Sequence, residues 1–251
     1  MSKKYELVVD DTITFWGWKL FRIRALISFG SVDAGDLGGY VCTEDNLSQK
    51  GDAWVLGNAK VWGDAKVWGD AKVLGNAKVW GDAKVWGDAK VSGDAEVWGN
   101  AKVWGNAEVS GNAEVWGDAK VLGNAEVSGN AKVSGNAKVW GNAEVWGDAE
   151  VWGNAKVWGN AKVSGNAKVW GNAEVSGDAK VSDFEDVIVF KNHWSSGRHF
   201  TYTKSNKMWR VGCFYGTGQE LIDKAYRDRE KSGNFYKAYV EFIASLEGLG
   251  E

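Results

Sequence analysis

Apolar and polar positions alternate with a period of two through half of the chain. From Gly51 to Ser182, 132 residues read as 132/6 = 22 consecutive hexads of Gly-(Asp/Asn)-Ala-(Lys/Glu)-Val-(Trp/Ser/Leu), and Trp54 is the one departure in the fourth slot. This alternation predicts short β-strands that turn Ala and Val inward and the other two residues outward. Gly followed by Asp or Asn tolerates left-handed backbone angles, which predicts a corner after each four-residue strand.

A short strand and a corner, repeated without interruption, predict a solenoid rather than a flat sheet. The chain contains no proline, as expected where each coil needs its N–H groups for the next. Hexads with one aliphatic and one small inward residue resemble the left-handed parallel β-helix of hexapeptide-repeat proteins. That resemblance implies a triangular section of 3 × 6 = 18 residues per coil, hence 22/3, or about seven coils. The handedness is implied by the resemblance, because periodicity alone does not fix it.

The flanking segments extend the resemblance. Residues 32–41, 45–49 and 51–55 resemble the lead-in of YdcK-like hexapeptide proteins of bacteria and prophages, and Gly212–Thr217 resembles the tail of the same proteins. An open solenoid end exposes apolar core and unpaired strand edge, so caps are required. We therefore predict three domains, which are an N-terminal β cap at 1–50, the β-helix at 51–182, and a small α+β domain at 183–251.

Local patterns predict the elements of the caps. In the N-terminal cap we expect strands at Tyr5–Val9, Ile13–Phe15 and Lys19–Leu26, with glycine turns at Gly35 and Gly38–Gly39. In the C-terminal domain we expect strands at Val187–Phe190, Phe200–Thr203 and Met208–Phe214. A first helix is expected over about 218–231, beginning with the capping box Thr217-x-x-Glu220. We expect this helix to break at Ser232–Asn234 and a second helix to begin at Phe235.

An 18-residue coil sorts the outward residues into three columns of Trp, Ser and Leu. The first face carries Leu56, Leu74, Ser92, Ser110, Ser128, Trp146, Ser164 and Ser182. The second carries Trp62, Trp80, Trp98, Trp116, Ser134, Trp152 and Trp170. The third carries Trp68, Trp86, Trp104, Leu122, Trp140, Trp158 and Ser176. We expect these dozen Trp side chains to be exposed, and large exposed apolar patches usually mark contact surfaces.

The charged slot of the third face holds six successive lysines before Glu174, whereas the other two faces mix Lys and Glu. These residues, here called the lysine column, are Lys66, Lys84, Lys102, Lys120, Lys138 and Lys156. With the third-face Trp rings they form a candidate site for an elongated anion, nucleic acid or sugar. The alternative interpretation is that the Lys stems lie over the Trp rings and serve solubility. The six Trp of the second face are the candidate interface for a protein partner or a second copy.

Composition and charge exclude several further classes of protein. The net charge of −3 and pI of about 5.6 exclude a protein that acts mainly through a polybasic, nucleic-acid-binding tail. The N-terminus leads into no apolar signal-peptide core and no run is long enough to span a membrane, so we expect a cytoplasmic protein without membrane contact. The two cysteines, Cys42 and Cys213, do not make a disulfide scaffold.

Catalytic chemistry is absent from the array. Hexapeptide acyltransferases use a histidine base and a protruding loop, and the 22 hexads contain neither. The two histidines, His193 and His199, could join Cys213 as three zinc ligands, but they fit ordinary hairpin residues better because Ser195–Gly197 reads as a turn. We therefore predict no catalytic residue, no metal and no cofactor.

The sequence leaves three functions open. The preferred hypothesis is a non-enzymatic structural or interaction protein, a rigid rod that acts through its Trp faces and its C-terminal domain. The second is a binding module for an extended or anionic ligand, such as nucleic acid, polysaccharide or nucleotide, along the third face. The third, a degenerate acyltransferase, follows from the resemblance alone.

Overall fold

The computed structural model describes residues 3–249 and contains a parallel β-solenoid of about eight turns. Its 22 short strands, β4 to β25 in chain order, stack into three sheets. The sheet of the first face contains Trp54–Val55, Lys72–Val73, Lys90–Val91, Glu108–Val109, Glu126–Val127, Glu144–Val145, Lys162–Val163 and Lys180–Val181. The sheet of the second face contains Lys60–Val61, Lys78–Val79, Glu96–Val97, Glu114–Val115, Lys132–Val133, Glu150–Val151 and Lys168–Val169. The sheet of the third face contains Lys66–Val67, Lys84–Gly87, Lys102–Gly105, Lys120–Gly123, Lys138–Val139, Lys156–Val157 and Glu174–Val175.

The 18-residue coil is confirmed by the strand register. Val103 pairs with Val85 and Val121, one coil before and one coil after it. Most strands are two residues long, so the prediction of four-residue strands was wrong. Each Gly of the hexads lies at positive φ, for example +68° at Gly117, and forms the predicted corner.

The interior of the solenoid is made of Ala and Val alone through the array. The Ala and Val side chains of the hexads have at most 1 % of their surface exposed. Their inward orientation is therefore confirmed. With no polar atom in this core, the charged and aromatic columns outside it can vary without disturbing the packing.

The N-terminal cap adds an antiparallel hairpin and one more turn. Strand β1 (Tyr5–Phe15) is a single strand with an irregular register between Val8 and Thr12, where we expected two strands. It pairs with β2 (Trp18–Ala25), which pairs with β3 (Leu37–Val41). Strand β3 is parallel to the first strand of the second face, so the hydrogen-bonded ladder continues from the array into the cap. This extra turn raises the total from the expected seven to about eight.

Gly38 and Gly39 lie inside β3, so the turn predicted there was wrong. Cβ atoms at these positions would lie 2.5 Å from the Val55 carbonyl oxygen and 2.6 Å from the Ala59 carbonyl oxygen. These glycines allow the cap strand to approach the first coil closely, and they are needed for space rather than for an unusual φ.

Two cap side chains satisfy carbonyl groups at the N-terminal edge of the solenoid. The Nζ of Lys4, which is 3 % exposed, donates to the carbonyl oxygens of Gly51 (3.1 Å) and Ala53 (2.9 Å). Asn46, in the 3-10 turn Glu44–Asn46, donates its amide to the carbonyls of Gly63 and Ala65, both at 2.9 Å. Burial lowers the pKa of Lys4 to about 8.

The C-terminal domain is a four-stranded antiparallel sheet with two helices packed on it. Its strands, in spatial order, are β26 (Val187–Lys191), β27 (His199–Thr203), β28 (Met208–Val211) and β29 (Phe214–Gly216). The strand predicted at Met208–Phe214 is thus two strands joined by a turn. Short 3-10 turns lie at Phe184–Asp186 and Lys204–Asn206. The helices are α1 (Gly218–Asp228) and α2 (Glu230–Gly248), and the predicted capping box at Thr217 and Glu220 is present.

The helix break predicted at Ser232–Asn234 was wrong, because α2 runs through it and the chain turns at Arg229 instead. A Cβ on Gly233 would lie 2.3 Å from Cδ1 of Tyr226. Gly233 therefore permits the close contact of α2 with α1, at the modest cost of a glycine in a helix interior.

The C-terminal domain also caps the last coil. Backbone N–H groups of Glu174 and Lys180 donate to the hydroxyls of Thr201 and Ser205, both at 2.9 Å. These contacts close the end of the third and first faces, as edge strands require. Within residues 3–249, no helix is long and apolar enough to cross a membrane.

Candidate functional site

The lysine column of the third face is a straight row of charges. Each lysine pairs in register with the next, from Lys66 to Lys156, and the row ends opposite Glu174. Lys156 forms an ion pair with Glu174 at 2.8 Å. Among the described residues, the other five lysines of the column make no ion pair. The segregation expected from the sequence is therefore real in three dimensions.

The other two faces pair some of their lysines with glutamates of the same column. Ion pairs between neighbouring coils join Lys78 to Glu96 at 2.7 Å and Lys90 to Glu108 at 2.8 Å. The pairs Lys162–Glu144 (2.9 Å) and Lys132–Glu114 (4.0 Å) follow the same rule. The hydrogen bond and the charge of Glu108 raise the pKa of Lys90. Unpaired positive charge is thus concentrated on one face.

A row of Asp and Asn side chains at the preceding corner borders the lysine column. Asp82, Asn100 and Asp118 line a shallow groove of about 640 Å³ together with Lys84, Lys102 and Lys120. Acidic groups therefore lie beside the lysines without pairing with them. The groove presents alternating donors and acceptors to solvent, and its long axis follows the solenoid axis.

The Trp residues of the third face form two stacks of parallel rings. Ring centroids are 4.9 Å apart for Trp68–Trp86, 4.8 Å for Trp86–Trp104 and 4.8 Å for Trp140–Trp158, with interplanar angles of 2° to 5°. Leu122 separates the two stacks. Because the rings cover each other's faces, they present mainly edges to solvent, and all five are half-buried.

Within residues 3–249, no ammonium group of the lysine column makes a cation–π contact with a Trp ring. The cation–π contacts of the solenoid Trp rings are Lys162 over Trp146 at 5.8 Å and Arg210 over Trp158 at 5.0 Å. Neither cation belongs to the lysine column. Arg210, from β28, covers the last ring of the third-face stack.

The second-face Trp residues are also stacked, but the chain itself covers one end of the row. Centroid separations are 5.0, 4.9 and 5.0 Å along Trp62, Trp80, Trp98 and Trp116. Trp16, at the tip of the β1–β2 hairpin, packs edge-to-face on Trp62 at 5.7 Å and on Trp80 at 5.6 Å.

Only one array Trp in the described chain is highly exposed. Phe15 and Trp16 leave Trp62 2 % exposed, whereas Trp170 at the opposite end of the second face is 60 % exposed. The expectation of a dozen exposed Trp side chains was wrong, because stacking and the hairpin tip hide most of the ring surface. The covering role of Phe15 and Trp16 was missed, although the run Phe15-Trp16-Gly17-Trp18 carried a signal for an aromatic turn.

The candidate zinc ligands do not converge on one point. His193 packs edge-to-face on Trp194 and Phe235, and Nδ1 of His199 lies 3.1 Å from the amide of Asn172. No cluster of three His, Cys, Asp or Glu side chains suited to a metal occurs in the part of the chain that the structure describes. Cys213 and His199 instead border an open cavity of about 520 Å³ where the third face meets the C-terminal domain.

The fold and these columns define a parallel β-solenoid with 18-residue turns, closed by a strand-rich cap at one end and a small α+β domain at the other. No protein-family model matches the chain, and no curated protein is significantly similar to it.

Proposed function

We propose that this chain is a non-enzymatic, rigid scaffold that binds an extended anionic partner along its third face. The observation that supports this proposal is the lysine column, in which Lys66 to Lys138 make no ion pair among residues 3–249, whereas both other faces contain ion pairs between neighbouring coils. We also propose that the solenoid is left-handed and that the protein is cytoplasmic. The proposal includes kinship with the YdcK-like hexapeptide proteins of bacteria and phages.

The dimensions of the column favour an elongated ligand over a compact one. Six lysines at the strand spacing of about 4.8 Å span five steps, or about 24 Å. A small anion would contact two or three of them, whereas a polyanion can contact all six. The half-buried Trp edges beside the column offer apolar contacts to bases or sugar rings.

The experiment compares two double substitutions of equal charge. Lys102→Gln with Lys120→Gln removes two unpaired lysines from the third face, and Lys90→Gln with Lys162→Gln removes two paired lysines from the first face. Binding of a labelled single-stranded oligonucleotide and of heparin is measured by fluorescence anisotropy over a range of salt concentrations. If each of the five lysines without an ion pair contacts one phosphate of a single strand, the slope of log K against log salt is about −3.5.

We expect the third-face variant to weaken binding at low salt and to reduce the magnitude of that slope by about 1.4, since two contacts are lost. The first-face variant should bind like the unmodified protein. Equal losses in the two variants would show a dependence on net charge alone and would refute the assignment to the third face.

A protein partner or a second copy is the second candidate, on the second face. The supporting observation is Trp170, which is 60 % exposed at an end of the Trp row that no cap ring covers in the described structure. The hairpin tip covers Trp62, so this contact would involve Trp98 to Trp170. Native mass spectrometry of the protein and of Trp170→Ser tests it, and an unchanged subunit count in the variant would argue against it.

A further inference from the structure

The Trp row of the second face lacks one ring in its middle. Trp116 and Trp152 occupy equivalent positions two coils apart, and Ser134 occupies the position between them. In the sequence of the array, Ser134 is the only serine with Trp on both sides in its column. In the third-face row the corresponding position between Trp104 and Trp140 carries Leu122.

The corner glycines show that the Ser134 position is open. Glycines that follow a Trp of the array, such as Gly99, Gly117 and Gly153, are half-buried, which indicates that the ring covers the corner after it. Gly135, which follows Ser134, is exposed. The missing ring therefore leaves backbone surface uncovered.

The spacing of the row fits one flat ring. Successive rings are 5.0 Å apart at Trp98–Trp116, so the rings of Trp116 and Trp152 are about 10 Å apart across two coils. A planar group placed midway would lie about 5 Å from each wall, which is the stacking distance of the row itself. We propose that the gap between Trp116 and Trp152, above Ser134, is a binding site for one planar bicyclic aromatic ring.

The charges around the gap select among aromatic ligands. The column beside it carries Glu114, Lys132 and Glu150, and Lys132 lies 4.0 Å from Glu114. The net charge of the three is −1, which disfavours a phosphorylated ring such as a nucleotide. An uncharged or cationic ring fits, and the Ser134 hydroxyl can donate or accept one hydrogen bond.

Indole is the probe, because it has the size of the ring that the row lacks. Its binding is followed by ligand-detected NMR titration, with adenosine monophosphate as the anionic comparison. We expect one indole site per chain and weaker binding of the nucleotide. Ser134→Trp supplies the missing ring and should weaken indole binding at least about tenfold, since each stacking contact is worth that much. The matched control Ser164→Trp extends the first-face column beside Trp146 and should leave binding unchanged.

A gain-of-site variant keeps the test decisive if Ser134→Trp does not fold. Trp98→Ser creates a second gap of the same width between Trp80 and Trp116, so the stoichiometry should rise from one indole to two. Unchanged indole binding in folded Ser134→Trp, or a stoichiometry that stays at one in Trp98→Ser, would overturn the proposal. This site does not depend on the polyanion proposal, because it lies on another face and its probe carries no charge.

Discussion

The corner glycines of the array offer the sharpest test of how one coil packs on the next. Gly117 and Gly171 have nearly the same backbone angle, with φ of +68° and +65°. A Cβ at Gly117 would lie 3.1 Å from the backbone nitrogen of Gly135 in the next coil, whereas a Cβ at Gly171 would meet nothing within 4 Å. Substituting each by Ala therefore separates backbone strain from contact between coils.

The structure sets the expected magnitudes. A left-handed φ costs an alanine about 1–2 kcal/mol, and the loss of unfolded-state freedom offsets about 0.4–1 kcal/mol of this. Gly171→Ala should therefore destabilise by about 1 kcal/mol. Gly117→Ala also forces backbone apart, which adds about 1–3 kcal/mol, as overpacking does elsewhere.

Urea denaturation followed by circular dichroism gives both values, and the slope of each transition shows whether the solenoid still unfolds as one unit. Gly117→Asn is a useful third variant, because Asn tolerates a left-handed φ but keeps the Cβ. Its loss should fall between the two alanine variants. Equal losses for Gly117→Ala and Gly171→Ala would refute the argument that glycine is required by the approach of the next coil.

Two further predictions concern the N-terminal cap and the corner amides. Lys4 has a pKa of about 8 in the folded protein, against an ordinary value near 10.5. Between these two pH values the unfolded chain binds more protons than the folded protein, so stability should rise with pH in this window. Urea midpoints at pH 8 and 10 should show this rise in the unmodified protein but not in Lys4→Met, and an identical rise in the variant would contradict the prediction. Many Asn side chains at the corners form ladders in which the amide donates to the next coil, as from Asn76 to Asp94 at 2.9 Å. Asp94 has no amide to donate onward to Asn112, so Asp94→Asn should stabilise the protein by up to about 1 kcal/mol in the same urea assay. A loss of stability would contradict the ladder.

The sequence predicts the array well because its period turns each hexad slot into a straight column. The inward Ala and Val, the in-register lysines and the three-faced section all follow from counting eighteen residues. Glycine was less predictable in the caps. Gly38, Gly39 and Gly233 look like turn or break signals, but each is used for close approach to a neighbour that is distant in sequence. Single-sequence patterns carry no information on such neighbours.

The candidate surfaces were predictable in position but not in exposure. Counting placed Trp62 and Trp80 correctly on the second face, yet it could not show that Trp16 folds back onto them. Stacking of rings at about 5 Å likewise hides apolar area that a residue-by-residue estimate counts as exposed. The surfaces left for binding are therefore smaller and more sharply bounded than the Trp content suggests.

The lysine column has an energetic consequence that separates the third face from the other two. Two unit charges about 5 Å apart in water repel by about 0.8 kcal/mol before salt screening. Six stacked lysines contain five such neighbouring pairs, and within residues 3–249 only the last lysine forms an ion pair, with Glu174. The first and second faces offset part of their repulsion with ion pairs between neighbouring coils, such as Lys78–Glu96 and Lys90–Glu108. A polyanion bound along the third face would remove repulsion that the fold retains, so its binding should raise the stability of the solenoid most at low salt, where screening is weakest.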